Sequence, residues 1–182
     1  MNDWVSGNYY LSSADQENNA SIIAAAFPDW SPNGMAALLG NMQAESSINP
    51  GIWENLDEGN LSGGFGLVQW TPATKFLDWS GGDQSGDAQL RRLQYEIDNG
   101  LQWGATTRFP LSFSEFTVSD KPPGYLAAAF MLNYERPANQ SWAAQQGRAK
   151  NAERWYTWLT GLPAPPWSAF PVWLFFKMTR RH

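Results

Sequence analysis

The sequence has no cysteine and a single histidine, His182, at its last position. Without cysteine there are no disulfides and no thiolate metal ligands. Without an internal histidine, a Ser–His or Cys–His hydrolase and an ordinary zinc site both lack their parts. No metal and no other cofactor is expected. No apolar run approaches the ~20 residues of a membrane span. The start, Met1-Asn2-Asp3-Trp4-Val5, has no basic stretch followed by an apolar one and does not read as a secretory leader. Positive charge is scarce as well: 12 Lys plus Arg stand against 17 Asp plus Glu, a net charge of −5. That balance lacks the basic footprint of a nucleic-acid binder.

What the chain does have is carboxylate and aromatic surface. Hydrophobic residues make up 43% and charged residues 16% of the 182, which suits a folded globular domain. With thiol and imidazole removed, Asp and Glu remain for acid–base work. The 11 Trp are unusual for this length and suggest, in part, flat faces for sugar rings.

Most of the chain reads as helix. One helix is expected from about Ser13 to Phe27. Ser31-Pro32 is an N-cap with proline at the first helical position, and Met35, Leu38, Leu39 and Met42 follow as an apolar stripe. Thr71-Pro72 repeats the start signal, with Gly81-Gly82 as the stop. Asp87 is read as the cap of a helix carrying Leu90, Leu93 and Ile97. Leu126, Phe130 and Tyr134 share a face that Pro137 ends. The longest pattern spans 141–160. Leu61 to Trp70, with Gly63-Gly64-Phe65-Gly66, reads as a glycine-rich turn with at most a small hairpin. The fold class is therefore mainly α, an α+β arrangement of short helices around one small β element. Residues 1–160 are taken as the domain and 161–182 as an appendage: a Pro-rich linker, then an apolar and basic tail. Membrane contact is one reading of 167–182. Packing on the domain, or a truncated junction to a second domain, is the favoured one.

Glu45 falls at the flank of the Met35/Leu38/Leu39/Met42 stripe, and Asn49-Pro50-Gly51 ends the helix just after it. A carboxylate there is half on the apolar face and close to the negative end of the helix dipole. Both effects favour the protonated form that a general acid needs. From periodicity alone, a solvated last-turn glutamate is the simpler reading. Asp57 and Glu58, in the loop beyond, are candidates for the second carboxylate of a glycosidase, against the plainer reading of surface charge. Trp53, Asn60, Gln69 and Trp70 supply aromatic faces and amides of the kind that hold sugars.

Glu45-Ser46-Ser47-Ile48-Asn49-Pro50, followed by Gly66-Leu67-Val68-Gln69 and a later Tyr134, resembles the motif set of goose-type lysozymes and soluble lytic transglycosylases. Leu39 to Ser46, Asn55 to Asn60 and Gly64 to Thr71 resemble more narrowly the phage tail lysozyme family, the glycan-cutting domain of tail-knob proteins of short-tailed phages of Gram-positive bacteria. The resemblance covers nearly all of residues 8–160. It implies a lysozyme-like fold, cleavage of the MurNAc–GlcNAc bond of peptidoglycan, Glu45 as the catalytic acid, and Gln69 and Tyr134 as cleft residues. Two departures stand out. The related tail proteins continue into a zinc endopeptidase domain, for which this sequence has neither room nor histidines. Transglycosylases follow the tyrosine with Asn-Ala-Gly, whereas here it is Glu135-Arg136-Pro137.

The expectation is a virion-associated lysozyme whose partners are glycan strands and other tail proteins, with delivery to the wall by the phage tail. An endolysin made in the host cytoplasm is the alternative localisation. Hydrolysis, with Asp57 or Glu58 directing water, is preferred over attack by the sugar's own 6-hydroxyl. A non-catalytic wall-binding module is the alternative from a different class.

Overall fold

Serines start most of the helices. In the computed structural model, which describes residues 3–166, Ser12, Ser31, Ser85, Ser112 and Ser141 each accept a backbone N–H from the first turn that follows. These bonds satisfy donors that a helix cannot satisfy internally. The elements in order are α1 (Ser13–Ala26), α2 (Pro32–Ser46), α3 (Thr74–Ser80), α4 (Gly86–Asp98), α5 (Phe113–Thr117), α6 (Pro123–Phe130) and α7 (Trp142–Thr160). A short 3-10 turn, Glu54–Leu56, follows α2, and a π-turn, Met131–Glu135, continues α6. The architecture is mainly α, as the helix patterns indicate. β structure among the described residues is limited to two isolated antiparallel bridges, Trp53 with Phe65 and Phe65 with Trp70. No described helix is long and apolar enough to cross a membrane.

α2 is the centre of the bundle. Met35 to Met42 are buried on every side, a helix enclosed by others and not one lying on a surface. α6 and α7 pack against it and against each other. Gly40 sets how closely α2 and α7 approach. A Cβ there would lie 2.6 Å from the backbone nitrogen of Ala152. Aromatic rings fill the far side: Trp103, Phe113, Phe116, Phe130 and Tyr134 contact one another between α5, α6 and the π-turn.

Several boundaries differ from the sequence reading. Thr71-Pro72 precedes α3, which begins at Thr74. The N-cap of α4 is Ser85, and Asp87 lies inside its first turn. The helix expected through Tyr134 changes after Phe130 into the π-turn. Helix α5 has only five residues, too few to show a period. Gly161, in the left-handed conformation, caps α7 where the linker was expected. The tail Trp167–His182, and with it the membrane-contact reading, lies outside the described residues.

Candidate active site

Glu45 occupies the last turn of α2. The helix ends there in paired bonds: the Ser47 N–H reaches the Gln43 carbonyl at 3.1 Å, and the Ile48 N–H reaches that of Met42 at 3.2 Å. Ser47 and Ile48 both have positive φ, 50° and 58°, which is strained for a β-branched isoleucine. The segment is held by neighbours on both sides. Asn19 Nδ2 donates to the Ile48 carbonyl at 2.9 Å, and Leu11 N–H donates to Ser47 Oγ at 3.0 Å.

The glycine-rich turn docks onto this helix end. Ser46 Oγ donates to the Leu67 carbonyl at 2.8 Å. Gln89 of α4 accepts the Leu67 N–H at 2.8 Å and donates to the Pro50 carbonyl at 2.6 Å. Gly66, at φ +79°, makes room for that amide: a Cβ would sit 2.3 Å from Gln89 Oε1. Gln69 Nε2 donates to the carbonyls of Gly66 and Ile52, at 3.0 and 3.2 Å. Ser46, Gly66 and Gln69 thus have architectural tasks as well as positions beside a carboxylate.

An N-terminal strap, residues 4–11, closes one flank. Asn49 holds the carbonyls of Gly7 and Tyr9 through Nδ2, at 2.7 and 2.5 Å. Asn8 bridges the Trp53 N–H, at 3.0 Å, and the Leu56 carbonyl, at 2.9 Å. Trp4 Nε1 donates to Asp87 Oδ1 at 2.8 Å. The strap delivers Tyr10, 67% exposed, to the mouth of a cleft.

That cleft, about 450 Å³, is where Glu45 emerges. Tyr10, Trp53, Gln69 and Thr71 form part of its lining, as do Glu54 from the 3-10 turn and Glu135 from the π-turn. Glu54 Oε2 accepts the Gly64 N–H at 2.8 Å. Arg148 of α7, its side chain 11% exposed, joins the carboxylates behind the lining. Its Nη2 donates to Glu45 Oε1, and its Nε donates to Glu135 Oε2 at 3.1 Å. The Glu45 side chain is 19% exposed and that of Glu135 is 4% exposed. Burial, then the neighbouring charge of Glu45, pushes the Glu135 carboxyl well above the usual glutamate range, and Arg148 offsets this only in part.

The sequence candidates divide cleanly. Glu45, Trp53 and Gln69 share the cleft. Asp57, Glu58 and Asn60 are exposed and do not line it; Asn60 Nδ2 donates to Asp57 Oδ2 at 3.0 Å within their own turn. Trp70 and Tyr134 are core residues. Trp70 Nε1 donates to Glu96 Oε1 at 3.1 Å, and the Tyr134 hydroxyl donates to Glu96 Oε2. Arg92 completes that buried group with an ion pair to Glu96 at 2.8 Å. Burial and the Glu96 charge raise the Tyr134 pKa, so its hydroxyl stays protonated as a donor. Its ring stacks on Phe130, and the residue is not part of the cleft lining.

Sequence reasoning did not single out Tyr10, Glu54 and Glu135, which line the cleft, or Arg148, which pairs with its carboxylates. Arg148 left a signal, being a charged residue on the stripe Gln145, Ala149 and Ala152 that α7 buries. Glu135 left none, because a π-turn shifts the face that ordinary helical spacing assigns.

A half-buried carboxylate at the end of a central helix, opening into a cleft of aromatic and amide groups, defines a lysozyme-like protein. The chain belongs to the phage tail lysozyme family, whose match covers residues 15–159. It is also similar to Morphogenesis protein 1 of Bacillus phage B103, 48% identical over 164 residues. That alignment takes in 86% of this chain and 43% of the relative, so the chain spans less than half of that protein.

Proposed function

We propose that this chain is the glycan-cutting module of a phage tail-associated protein, hydrolysing the MurNAc–GlcNAc β-1,4 bond of peptidoglycan with Glu45 as general acid. The observation that carries this is the place of Glu45. It sits at the rigid end of α2, partly shielded from water, and faces a cleft that also presents Tyr10, Trp53 and Gln69. Such a cleft suits an extended sugar chain, with ring faces on the aromatics and hydroxyls on the amides.

Protonated Glu45 donates to the glycosidic oxygen as the C1–O bond breaks. Water then attacks the oxocarbenium-like sugar from the opposite face. We assign the direction of that water to Glu54, which lines the cleft, and not to Asp57 or Glu58, which do not. The relative's name, a morphogenesis protein, supports association with the phage particle. Breaching the wall for genome entry is the role that follows for a tail-borne enzyme of this kind.

Glu45→Gln removes the proton and keeps the shape. It is expected to lose at least about 100-fold in peptidoglycan cleavage with an unchanged melting curve. A variant that clears the wall like the wild type would remove the assignment. Mass spectrometry of the products reads the second step: a reducing MurNAc end supports hydrolysis, and an end lighter by one water identifies transglycosylation.

A further inference from the structure

Glu135 has no task in the reaction described above, yet it is the most deeply buried carboxylate in the cleft lining. Its Oε2 accepts from Arg148, while its Oε1 is buried and faces no donor. A buried carboxylate oxygen without a donor is costly. A buried carboxyl O–H is not, provided an acceptor lies beside it. Glu45 is the acceptor at hand: Glu45 Oε1 and Glu135 Oε2 both rest on the same Nη2 of Arg148, the latter at 3.1 Å.

The charges around the pair are few. Glu45 comes from α2 and Arg148 from α7. Arg136, next in the chain, also lines the cleft, with its Nη2 donating to the Gln102 carbonyl at 3.0 Å. Glu54 stands elsewhere in the lining, tied to the Gly64 N–H. One guanidinium against two carboxylates leaves one negative charge uncompensated in a poorly solvated wall. One proton completes the balance.

We propose that Glu135 is a proton-holding, positioning partner of Glu45: the two carboxyls share one proton beneath Arg148, and Glu135 passes it to Glu45 as the glycosidic bond breaks. This rests on Glu45 being the general acid. The proton on Glu135 Oε1 crosses to Glu45, and Glu45 gives it to the glycosidic oxygen. The C1–O electron pair goes to the leaving sugar. Arg148 then holds two carboxylates. The attacking water's proton leaves on Glu54 and returns to the pair through solvent, so nothing is consumed but water and the glycosidic bond.

The test is kcat and KM against pH for the wild type, Glu135→Gln and Glu135→Asp on soluble peptidoglycan fragments. Glu135→Gln keeps an oxygen for Arg148 but cannot hand on a proton. It is expected to lower kcat about 10–100-fold, with KM within about twofold. The alkaline limb of its kcat profile should move to lower pH, and Glu135→Asp should restore part of both. A purely structural Glu135 would leave that limb where the wild type has it. An unmoved limb, or kcat within twofold of wild type, overturns the proposal. Should Glu135→Gln fail to fold, Glu135→Ala decides: an alkaline limb moved to lower pH supports the proposal and an unmoved one overturns it. Wild-type protein that cuts no glycan would sink the assignment of Glu45 as well. Wild-type cutting with an unaltered Glu135→Gln profile sinks this inference alone.

Discussion

Residue by residue, the proposed reaction divides this cleft into chemistry and contact. Glu45, Glu135 and Arg148 form one electrostatic unit, so their substitutions will not add independently. Tyr10 is the contrasting case. It is exposed at the cleft mouth, and its ring carries no core packing. Tyr10→Ala is expected to raise KM for peptidoglycan fragments about tenfold, the loss of ~1.4 kcal/mol of ring contact. Stability should stay within about 0.5 kcal/mol, as for other surface changes. Steady-state kinetics beside a thermal melt checks both, and an unchanged KM would remove Tyr10 from the sugar-binding wall. Trp70 is expected to behave the opposite way. Buried and bonded to Glu96, Trp70→Ala should cost about 3–5 kcal/mol of stability, as core aromatic truncations do. Equilibrium denaturation reads that directly.

At the scale of elements, the site depends on how closely two helices meet. Arg148 reaches Glu45 because α7 lies against α2 at Gly40, with Ala152 opposite. Gly40→Ala forces the backbones apart and should destabilise the protein by about 1–3 kcal/mol, the usual cost of overpacking. It should also lower kcat more than it raises KM, because Arg148 moves and the sugar-binding wall does not. Urea unfolding together with kinetics tests the pairing of those effects. The π-turn is the second such element. One extra residue in the turn places Tyr134 inward on Glu96 and the next residue, Glu135, on the cleft. A regular helix through Tyr134 would have put both elsewhere, which is why its spacing with Leu126 and Phe130 was readable while the direction of its ring was not.

For the molecule as a whole, the role proposed for the buried Glu135 would tie catalysis to stability. Its folded pKa is raised well above the ordinary glutamate value, so the native state holds a proton that the unfolded chain releases. Its stabilising contribution is fully present below the unfolded pKa. It is lost as pH rises from there through the folded pKa. Glu135→Gln has no such proton to lose. As pH rises above the unfolded glutamate value of about 4.3, the wild type should therefore lose more stability than Glu135→Gln does, read from melting temperatures at each pH. Equal slopes would mean that Glu135 is not held protonated. Net negative charge adds a separate constraint. A chain at −5 would gain no long-range attraction to an anionic wall, so the binding proposed here rests on the cleft.

The sequence by itself determined the mainly-α class, the apolar helix with Glu45 near its C-terminal end, the glycine-rich turn and the family to which these belong. Each is a local matter: an apolar stripe, a Ser-Pro cap, glycines that exclude helix, a motif of fixed spacing. The absence of thiol and internal imidazole leaves carboxylates as the groups for acid–base work. Tertiary structure decided which carboxylates meet. Glu45 and Glu135 lie far apart in the chain and come together only because α2, the π-turn and α7 converge on Arg148. Asp57 and Glu58, though closer in sequence, stay on an exposed turn, because nothing in their spacing to Glu45 fixes the path of the loop between. Long-range packing sets side-chain proximity, and it is that proximity, with burial, which turns an ordinary glutamate into one that keeps its proton.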